Sequence, residues 1–187
     1  AHDLCVAGYT VHVYEMSDRL GGLMAWGIPA FRLPGGVIDE DIKRLTDKCE
    51  GLRVHLETAL GRDVSLDQLK QRHDAVLLSI GAWWGKPMDI PGEDHPQVVD
   101  GVGFLRRVNA GERPSLPESV VVVGGGDVAM DACRVARRLP GCEQVRVIYR
   151  RGPEEIPARR IELEGALKEG IEFIYHTQPI GVEAGAE

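Results

Sequence analysis

The 187-residue sequence has few of the features that mark several common functional classes. It contains four cysteines and no Cys-x-x-Cys, which excludes a redox-active disulfide of the thioredoxin-reductase type and a self-contained zinc or iron–sulfur site in this segment. No apolar run approaches the length of a membrane span, and no signal peptide is visible. The net charge of −7 argues against nucleic acid as the main partner. We therefore expect a cytoplasmic protein that binds neither nucleic acid nor a membrane.

A recognisable catalytic base or nucleophile is also absent from the sequence. The six histidines are dispersed along the chain, and a surface or packing role suits each of them. A short-chain dehydrogenase would need a Tyr-x-x-x-Lys motif, but Pro153 follows Tyr149 by four residues and Pro179 follows Tyr175 by four. We therefore predict no catalytic side chain and no metal ligand in this chain.

What the sequence does contain is a glycine-rich loop between a strand and a helix. Four valines at 120–123 predict a short buried strand, and residues 124–126 are all glycine. In the pattern Gly-x-Gly-x-x-Ala, Gly124 permits a tight turn and Gly126 lets the backbone approach a pyrophosphate. Ala129 is small enough for the helix to pack close to the strand, and the N–H groups at the helix start hold the phosphates. The loop therefore predicts a dinucleotide site.

The strand that follows this helix indicates which dinucleotide binds. Residues 144–149 predict the second strand of a βαβ unit, which leads into Arg150 and Arg151. An acidic residue at this position binds the free 2′-hydroxyl of NAD, whereas arginine accommodates the 2′-phosphate of NADP. Two arginines without a carboxylate favour NADP(H), because a guanidinium matches a phosphate in geometry and charge. The alternative is a solvated strand end with no ligand.

A second, incomplete nucleotide unit is predicted at the N-terminus. Residues 1–8 resemble the last turns of a helix that ends at a glycine, and residues 9–15 predict an alternating strand that ends in Glu15. This is the order of the second half of a βαβ unit, whose terminal acid binds an adenosine ribose. We expect its first strand and glycine loop to lie upstream of residue 1, so that the chain is a fragment of a longer protein.

The other segments alternate between helices and strands, as in an α/β protein. Helical spacing predicts helices at 37–49, 66–73, 103–109, 128–139 and 158–169, and apolar runs predict further strands at 52–56, 75–80 and 171–175. The strand at 75–80 is apolar almost throughout and is expected to be buried on both faces. Residues 85–117, which are rich in proline and glycine, are predicted to connect two domains.

Several further motifs follow one another along most of the chain. They are RLGGL at 19–23, GIPAFRLP at 27–34, DAVLLSIGA at 74–82, IPGED at 90–94 and GGGDVAMD at 124–131. This series resembles the NADPH-dependent glutamate synthase small (β) subunit and the related flavin domain of dihydropyrimidine dehydrogenase. The resemblance implies an α/β, two-dinucleotide-binding Rossmann-like fold. It implies a partial FAD-binding domain at 1–108 and an inserted NADP(H)-binding domain at 109–187.

The resemblance also implies roles for individual residues. On the FAD side these are Glu15 at the adenosine ribose, Gly22 and Leu23 beside the cofactor, Arg32 as a further contact and the Leu60 backbone at the adenine. On the NADP(H) side they are Gly125, Gly126, Asp127 and Val128 at the pyrophosphate, after Gly124 at the turn of the cofactor-binding loop, and Arg150 and Arg151 at the 2′-phosphate.

The function implied by the resemblance is that of an NADPH-dependent flavin oxidoreductase. A hydride passes from NADPH to FAD, and electrons pass on to [4Fe-4S] clusters held outside this segment. They then reach a larger catalytic subunit or domain, such as the glutamate synthase large subunit. Two alternatives stay open: a non-catalytic NADP(H)-binding module, or the electron-input domain of a dihydropyrimidine dehydrogenase or of a ferredoxin- or hydrogenase-linked complex. Residues that would separate these acceptors lie outside this sequence.

Overall fold

The computed structural model describes residues 1–185, which divide into two compact units. The first unit comprises Ala1–Ala25 and Ala30–Gly81, and the second comprises Trp26–Pro29 and the chain from Ala82 onward. This division reflects compactness alone. The assignment of residues 1–108 to FAD and 109–187 to NADP(H) stays a prediction, and its last two residues lie outside the described part.

The first unit contains a two-stranded parallel sheet. Its elements and the adjoining ones are, in chain order, α1 (His2–Val6), β1 (Val11–Tyr14), α2 (Gly22–Trp26), α3 (Gly35–Asp47), β2 (Leu52–His55) and α4 (Leu66–Arg72). β1 and β2 run in register, with Val11 beside Leu52 and Tyr14 beside His55. Ser65 begins α4, since its hydroxyl accepts a hydrogen bond from the Gln68 N–H at 3.1 Å.

The strand expected at 75–80 is wrong. The segment has no regular secondary structure, and two of its apolar side chains are largely exposed, Leu77 by 84% and Ile80 by 64%. A β-strand is stabilised by hydrogen bonds to a neighbouring strand, and none of the strands within residues 1–185 pairs with this segment. The apolar composition of residues 75–80 is therefore not enough to predict a strand.

The second unit contains a three-stranded parallel sheet. Its elements are α5 (Gly101–Asn109), β3 (Ser119–Val123), α6 (Asp127–Arg138), β4 (Gln144–Ile148), a 3₁₀ turn (Pro153–Glu155), α7 (Arg160–Lys168) and β5 (Glu172–Ile174). β4 lies between β3 and β5, so that Val147 has Val122 on one side and Phe173 on the other. Each strand and helix expected from residue 103 onward is confirmed, with ends within two residues.

The core of the second unit is centred on α6. Met130 and Cys133 are fully buried and pack with Val145 and Val147 of β4 and with Ala166 of α7. Burying a side chain of this size stabilises the fold by about 1.5–3 kcal/mol. This packing holds the start of α6 against the ends of the strands, where the candidate site lies.

The parallel sheets and the helices that alternate with them confirm the expected α/β class. Within residues 1–185, no helix has both the length and the apolar character needed to cross a membrane.

Candidate nucleotide site

The glycine loop joins β3 to α6, and its three glycines have different surroundings. Gly124 has φ +136°, a conformation that favours glycine, and its N–H donates to the Ile148 carbonyl at 3.0 Å. A Cβ on Gly125 would lie 2.6 Å from the Tyr149 ring, whereas a Cβ on Gly126 would meet nothing within 4 Å. The tight turn expected at Gly124 is therefore present, and the side of the loop at Gly126 is open.

α6 begins directly after this loop. The Gly126 carbonyl accepts the first hydrogen bond of the helix, from the Met130 N–H at 3.1 Å. The N–H groups of the first turn have no carbonyl of a preceding turn to bind, and the helix dipole adds partial positive charge at this end. Val128, in the same turn, is 46% exposed. The start of this 12-residue helix therefore suits an anion of the size of a pyrophosphate.

Asp127 connects the start of α6 to the segment that precedes α7. The Arg159 backbone N–H donates to Oδ1 of Asp127 at 3.0 Å, and the Arg159 Nε donates to Oδ2 at 2.9 Å. The Ala158 N–H donates to the Gly125 carbonyl at 3.0 Å. These three hydrogen bonds fix residues 158 and 159 against the glycine loop.

Arg150 and Arg151 follow β4 after one intervening residue, and both are exposed. Arg150 lines a cleft of about 190 Å³ together with Gly124 and Tyr149, and Ile90 contributes an apolar wall. The Arg151 Nε lies 4.0 Å from Glu155 Oε1, so its charge is only weakly compensated. The structure thus brings the glycine loop and Arg150 to one cleft at the carboxyl ends of β3 and β4, where ligands of α/β sheets bind. The nucleotide contacts of these residues stay predictions.

Two residues expected to bind FAD share an edge of the sheet in the first unit. Glu15 directly follows β1, and its Oε1 accepts hydrogen bonds from the N–H and the hydroxyl of Ser17, at 2.9 and 2.7 Å. The Thr58 N–H donates to the Glu15 carbonyl at 2.9 Å, which brings the segment leading to Leu60 to the same edge. Leu60 is 38% exposed and forms a β-bridge with Val64. The two hydrogen bonds from Ser17 therefore fix the orientation of the Glu15 carboxylate.

The remaining residues expected near FAD lie between Glu15 and Leu60 in the sequence. Gly22 begins α2 with φ +53°, and a Cβ on it would meet nothing within 4 Å. Leu23 is 37% exposed, and Arg32 is half-buried. No hydrogen bond described within residues 1–185 joins Gly22 or Leu23 to Glu15. The cofactor roles of these three residues stay predictions.

Sequence reasoning missed a cluster of histidines in the first unit. His12 Nδ1 lies 2.9 Å from His55 Nε2, and the Tyr14 hydroxyl lies 3.1 Å from His73 Nε2. Desolvation, followed by the charges of His73, His55 and Arg53, lowers the pKa of His12. Alternation along β1 indicates that residues 12 and 14 share a face, but the partners on β2 and after α4 are distant in sequence. In the described part of the chain, no group of three or more His, Cys, Asp or Glu is arranged to hold a metal ion.

Comparison with known proteins relates this geometry to one superfamily. A family model described as pyridine nucleotide-disulphide oxidoreductase matches residues 25–187. The chain is 36% identical to the glutamate synthase [NADPH] small chain of Azospirillum brasilense, over 97% of this chain and 39% of that protein. It is 41% identical to the NADP(+)-dependent formate dehydrogenase subunit beta of Moorella thermoacetica, over 94% of this chain and 25% of that protein. The chain therefore spans less than half the length of these relatives.

Solved structures share the fold. FprA from Mycobacterium tuberculosis, in complex with NADPH, superposes with a TM-score of 0.82 at 21% identity, over 94% of this chain and 54% of that one. These matches confirm the expected resemblance and the expected fold class.

Proposed function

Because this chain belongs to the pyridine nucleotide-disulphide oxidoreductase family, we propose that it is part of an NADPH-dependent flavin oxidoreductase of the glutamate synthase small-subunit type. The observation that carries the proposal is the glycine loop before α6, which is open at Gly126 and shares a cleft with the exposed Arg150. Bound to this chain, NADPH and FAD would supply the chemistry of hydride transfer. The residues of this chain bind and orient the two nucleotides.

In this proposal the second unit binds the adenosine end of NADPH. The N–H groups at the start of α6 hold the pyrophosphate, which lies over the open side of Gly126. Arg150 and Arg151 pair with the 2′-phosphate, and each charge-assisted hydrogen bond contributes about 1.5–3 kcal/mol. NADH has no 2′-phosphate, so the two arginines select NADPH.

The first unit contributes to the FAD site. Oε2 of Glu15 accepts hydrogen bonds from the ribose hydroxyls, since Ser17 already donates to Oε1. The backbone of Leu60 meets the adenine, and Gly22, Leu23 and Arg32 line the cofactor. The space beside Gly22 is open, since a Cβ there would meet nothing within 4 Å, and this leaves room for the cofactor. Hydride transfer needs no general base, so we assign no catalytic side chain.

The proposed electron acceptors belong to other domains. The relatives named above are a small chain of glutamate synthase and a beta subunit of a formate dehydrogenase, and both names imply larger assemblies. We therefore propose [4Fe-4S] clusters outside this segment and a larger catalytic subunit or domain as partners, in the cytoplasm.

The test compares Arg150→Ala/Arg151→Ala with the wild type in the full-length protein. The protein is mixed anaerobically with NADPH or NADH. Flavin reduction is measured as the loss of absorbance at roughly 450 nm, where oxidised flavin absorbs. We expect NADPH to reduce the wild-type flavin and the double variant to lose at least about tenfold in NADPH affinity, with little change for NADH. Arg160→Ala is the matched control, because the Arg160 side chain is 91% exposed and pairs with Glu164.

Two results would contradict the proposal. Flavin that NADPH does not reduce, in a protein that binds NADPH, would favour the non-catalytic module. If NADPH and NADH reduced the wild-type flavin equally well, the assignment of Arg150 and Arg151 to the 2′-phosphate would be wrong.

A further inference from the structure

An acidic residue stands at the point where the pyrophosphate is expected to bind. Asp127 is the first residue of α6, directly after the open glycine of the loop. A carboxylate is favourable at a helix N-terminus by itself, because the helix dipole is positive there. It repels a second anion at the same helix end, and at such short range this repulsion is only partly screened. A phosphate site built on this helix therefore needs compensation for the charge of Asp127.

Arg159 supplies that compensation. It approaches both carboxylate oxygens of Asp127, with its backbone N–H at 3.0 Å from Oδ1 and its Nε at 2.9 Å from Oδ2. The next carboxylate, that of Glu162, lies 3.9 Å from Arg159 Nη2. Arg159 is also the residue directly before α7, a helix of nine residues. Its contact with Asp127 therefore brings the start of α7 beside the start of α6. The local charge at the loop is thus neutral from the pair and partly positive from two helix ends.

The pair itself contributes little to folding. The Arg159 side chain is 61% exposed and the Asp127 side chain 39% exposed. Ion pairs with this exposure have small effects on stability, because water competes for both charges. The charge of the pair therefore has more effect on an anion at the glycine loop than on folding.

We propose that Arg159 is a positioning residue of the NADP(H) site, which neutralises Asp127 so that the nucleotide pyrophosphate can bind at the start of α6. The inference rests on the proposed function. Arg150 and Arg151 act on the 2′-phosphate, which only NADP(H) carries. Arg159 acts on the pyrophosphate region, which NADP(H) and NAD(H) share.

This difference predicts a distinct pattern of nucleotide affinities. Arg159→Gln leaves Asp127 uncompensated, so it weakens NADP⁺ and NAD⁺ by the same factor, about tenfold or more. Asp127→Asn removes the repulsion and should tighten the binding of both nucleotides by the same factor. The double variant binds as Asp127→Asn does, because no charge remains to be compensated.

The experiment measures the dissociation constants of NADP⁺ and NAD⁺ by calorimetric titration of the full-length protein. The oxidised nucleotides are used because they cannot reduce the flavin during the titration. Arg160→Gln is the matched control, since Arg160 is adjacent and its partner is Glu164, at 2.8 Å. Thermal unfolding of each variant verifies that it folds.

Three results would overturn the inference. If Asp127→Asn binds as weakly as Arg159→Gln, the pair is a structural connection between the loop and α7. If the double variant is as weak as Arg159→Gln, Arg159 contacts the nucleotide itself. If the loss is confined to NADP⁺, Arg159 belongs to the 2′-phosphate site. A wild-type protein that binds neither nucleotide refutes the proposed function and the inference together, whereas normal wild-type binding with any of the three patterns refutes the inference alone.

Discussion

Gly125→Ala and Gly126→Ala each add one methyl group to the glycine loop. We expect the first to destabilise the fold and the second to weaken nucleotide binding. A Cβ on Gly125 would lie 2.6 Å from the ring of Tyr149, which is only 8% exposed. That ring cannot move away easily, because its hydroxyl donates to the Glu155 carbonyl at 2.7 Å. A Cβ on Gly126 would meet nothing, and this residue has φ −87° and ψ 175°, which alanine adopts without strain.

The expected magnitudes follow from these surroundings. Gly125→Ala inserts a methyl group into a packed contact, a change that costs about 1–3 kcal/mol. Gly126→Ala should cost about 1 kcal/mol or less, because glycine is preferred to alanine at a helix N-cap but the added methyl group meets no neighbouring atom. The methyl group of Gly126→Ala instead occupies the space over which the pyrophosphate would lie. We expect it to weaken NADP⁺ binding by at least about tenfold.

The assay combines urea denaturation with titration by NADP⁺ for the wild type and both variants. Gly126→Ala serves as the folding control for Gly125→Ala, since both variants add one methyl group to the same loop. The reasoning is refuted if Gly126→Ala binds NADP⁺ as the wild type does, because the open side of the loop then does not face the nucleotide. It is equally refuted if Gly125→Ala unfolds at the wild-type urea concentration.

Three further predictions concern titratable groups. Burial raises the pKa of Cys133 to about 12, so its thiol should resist alkylation at pH 8 until the protein unfolds, as followed by mass spectrometry. Desolvation and the neighbouring histidines lower the pKa of His12 below its ordinary value of 6.5, so its contribution to stability is present above pH 6.5 and is lost as the pH falls. His12→Gln should therefore flatten the dependence of the urea midpoint on pH in this acidic range. Burial opposes the ionisation of Glu169, but hydrogen bonds from Arg138 and Arg134 outweigh it and lower the pKa of this carboxyl. The ionised Glu169 therefore stabilises the fold above the ordinary pKa of 4.5, and this stabilisation is lost as the pH falls through the lowered pKa. In Glu169→Gln this pH-dependent loss of stability should disappear, as measured by thermal unfolding between roughly pH 3 and 6, the range in which carboxyl groups titrate.

Sequence patterns predicted the second unit well because its signals are local. Within about two dozen residues, the sequence predicts a strand from the valines at 120–123 and a turn from the glycines at 124–126. It also predicts the end of the following helix from Pro140 and Gly141. The sequence around 75–80 has an equally clear apolar pattern, yet it forms no strand. Apolar composition indicates that a segment would gain from burial, whereas a strand also needs a partner to pair with.

The candidate site was predictable to the same extent. Gly124, Gly126 and Arg150 were expected together because a βαβ unit brings the ends of its two strands to one edge. The pairing of Asp127 with Arg159 was not predicted, since it depends on how the segment before α7 returns to the loop, 32 residues away. Side-chain pairs of this kind follow from tertiary packing and leave no periodic signal in the sequence.

Under the proposed function, the position of the charges lets one loop serve both nucleotide recognition and nucleotide selection. The start of α6 carries a carboxylate that Arg159 compensates, so the net attraction for a pyrophosphate comes from the helix ends and backbone N–H groups. Arg150 and Arg151 are both exposed, and Arg151 forms one weak ion pair with Glu155. Both side chains therefore retain their charge for a further anion. Affinity common to both nucleotides then resides in the backbone, and the preference for one of them resides in two side chains at the end of β4. We therefore expect that substituting Arg150 and Arg151 changes the ratio of the NADP⁺ and NAD⁺ dissociation constants, whereas substituting Arg159 changes both constants and preserves their ratio.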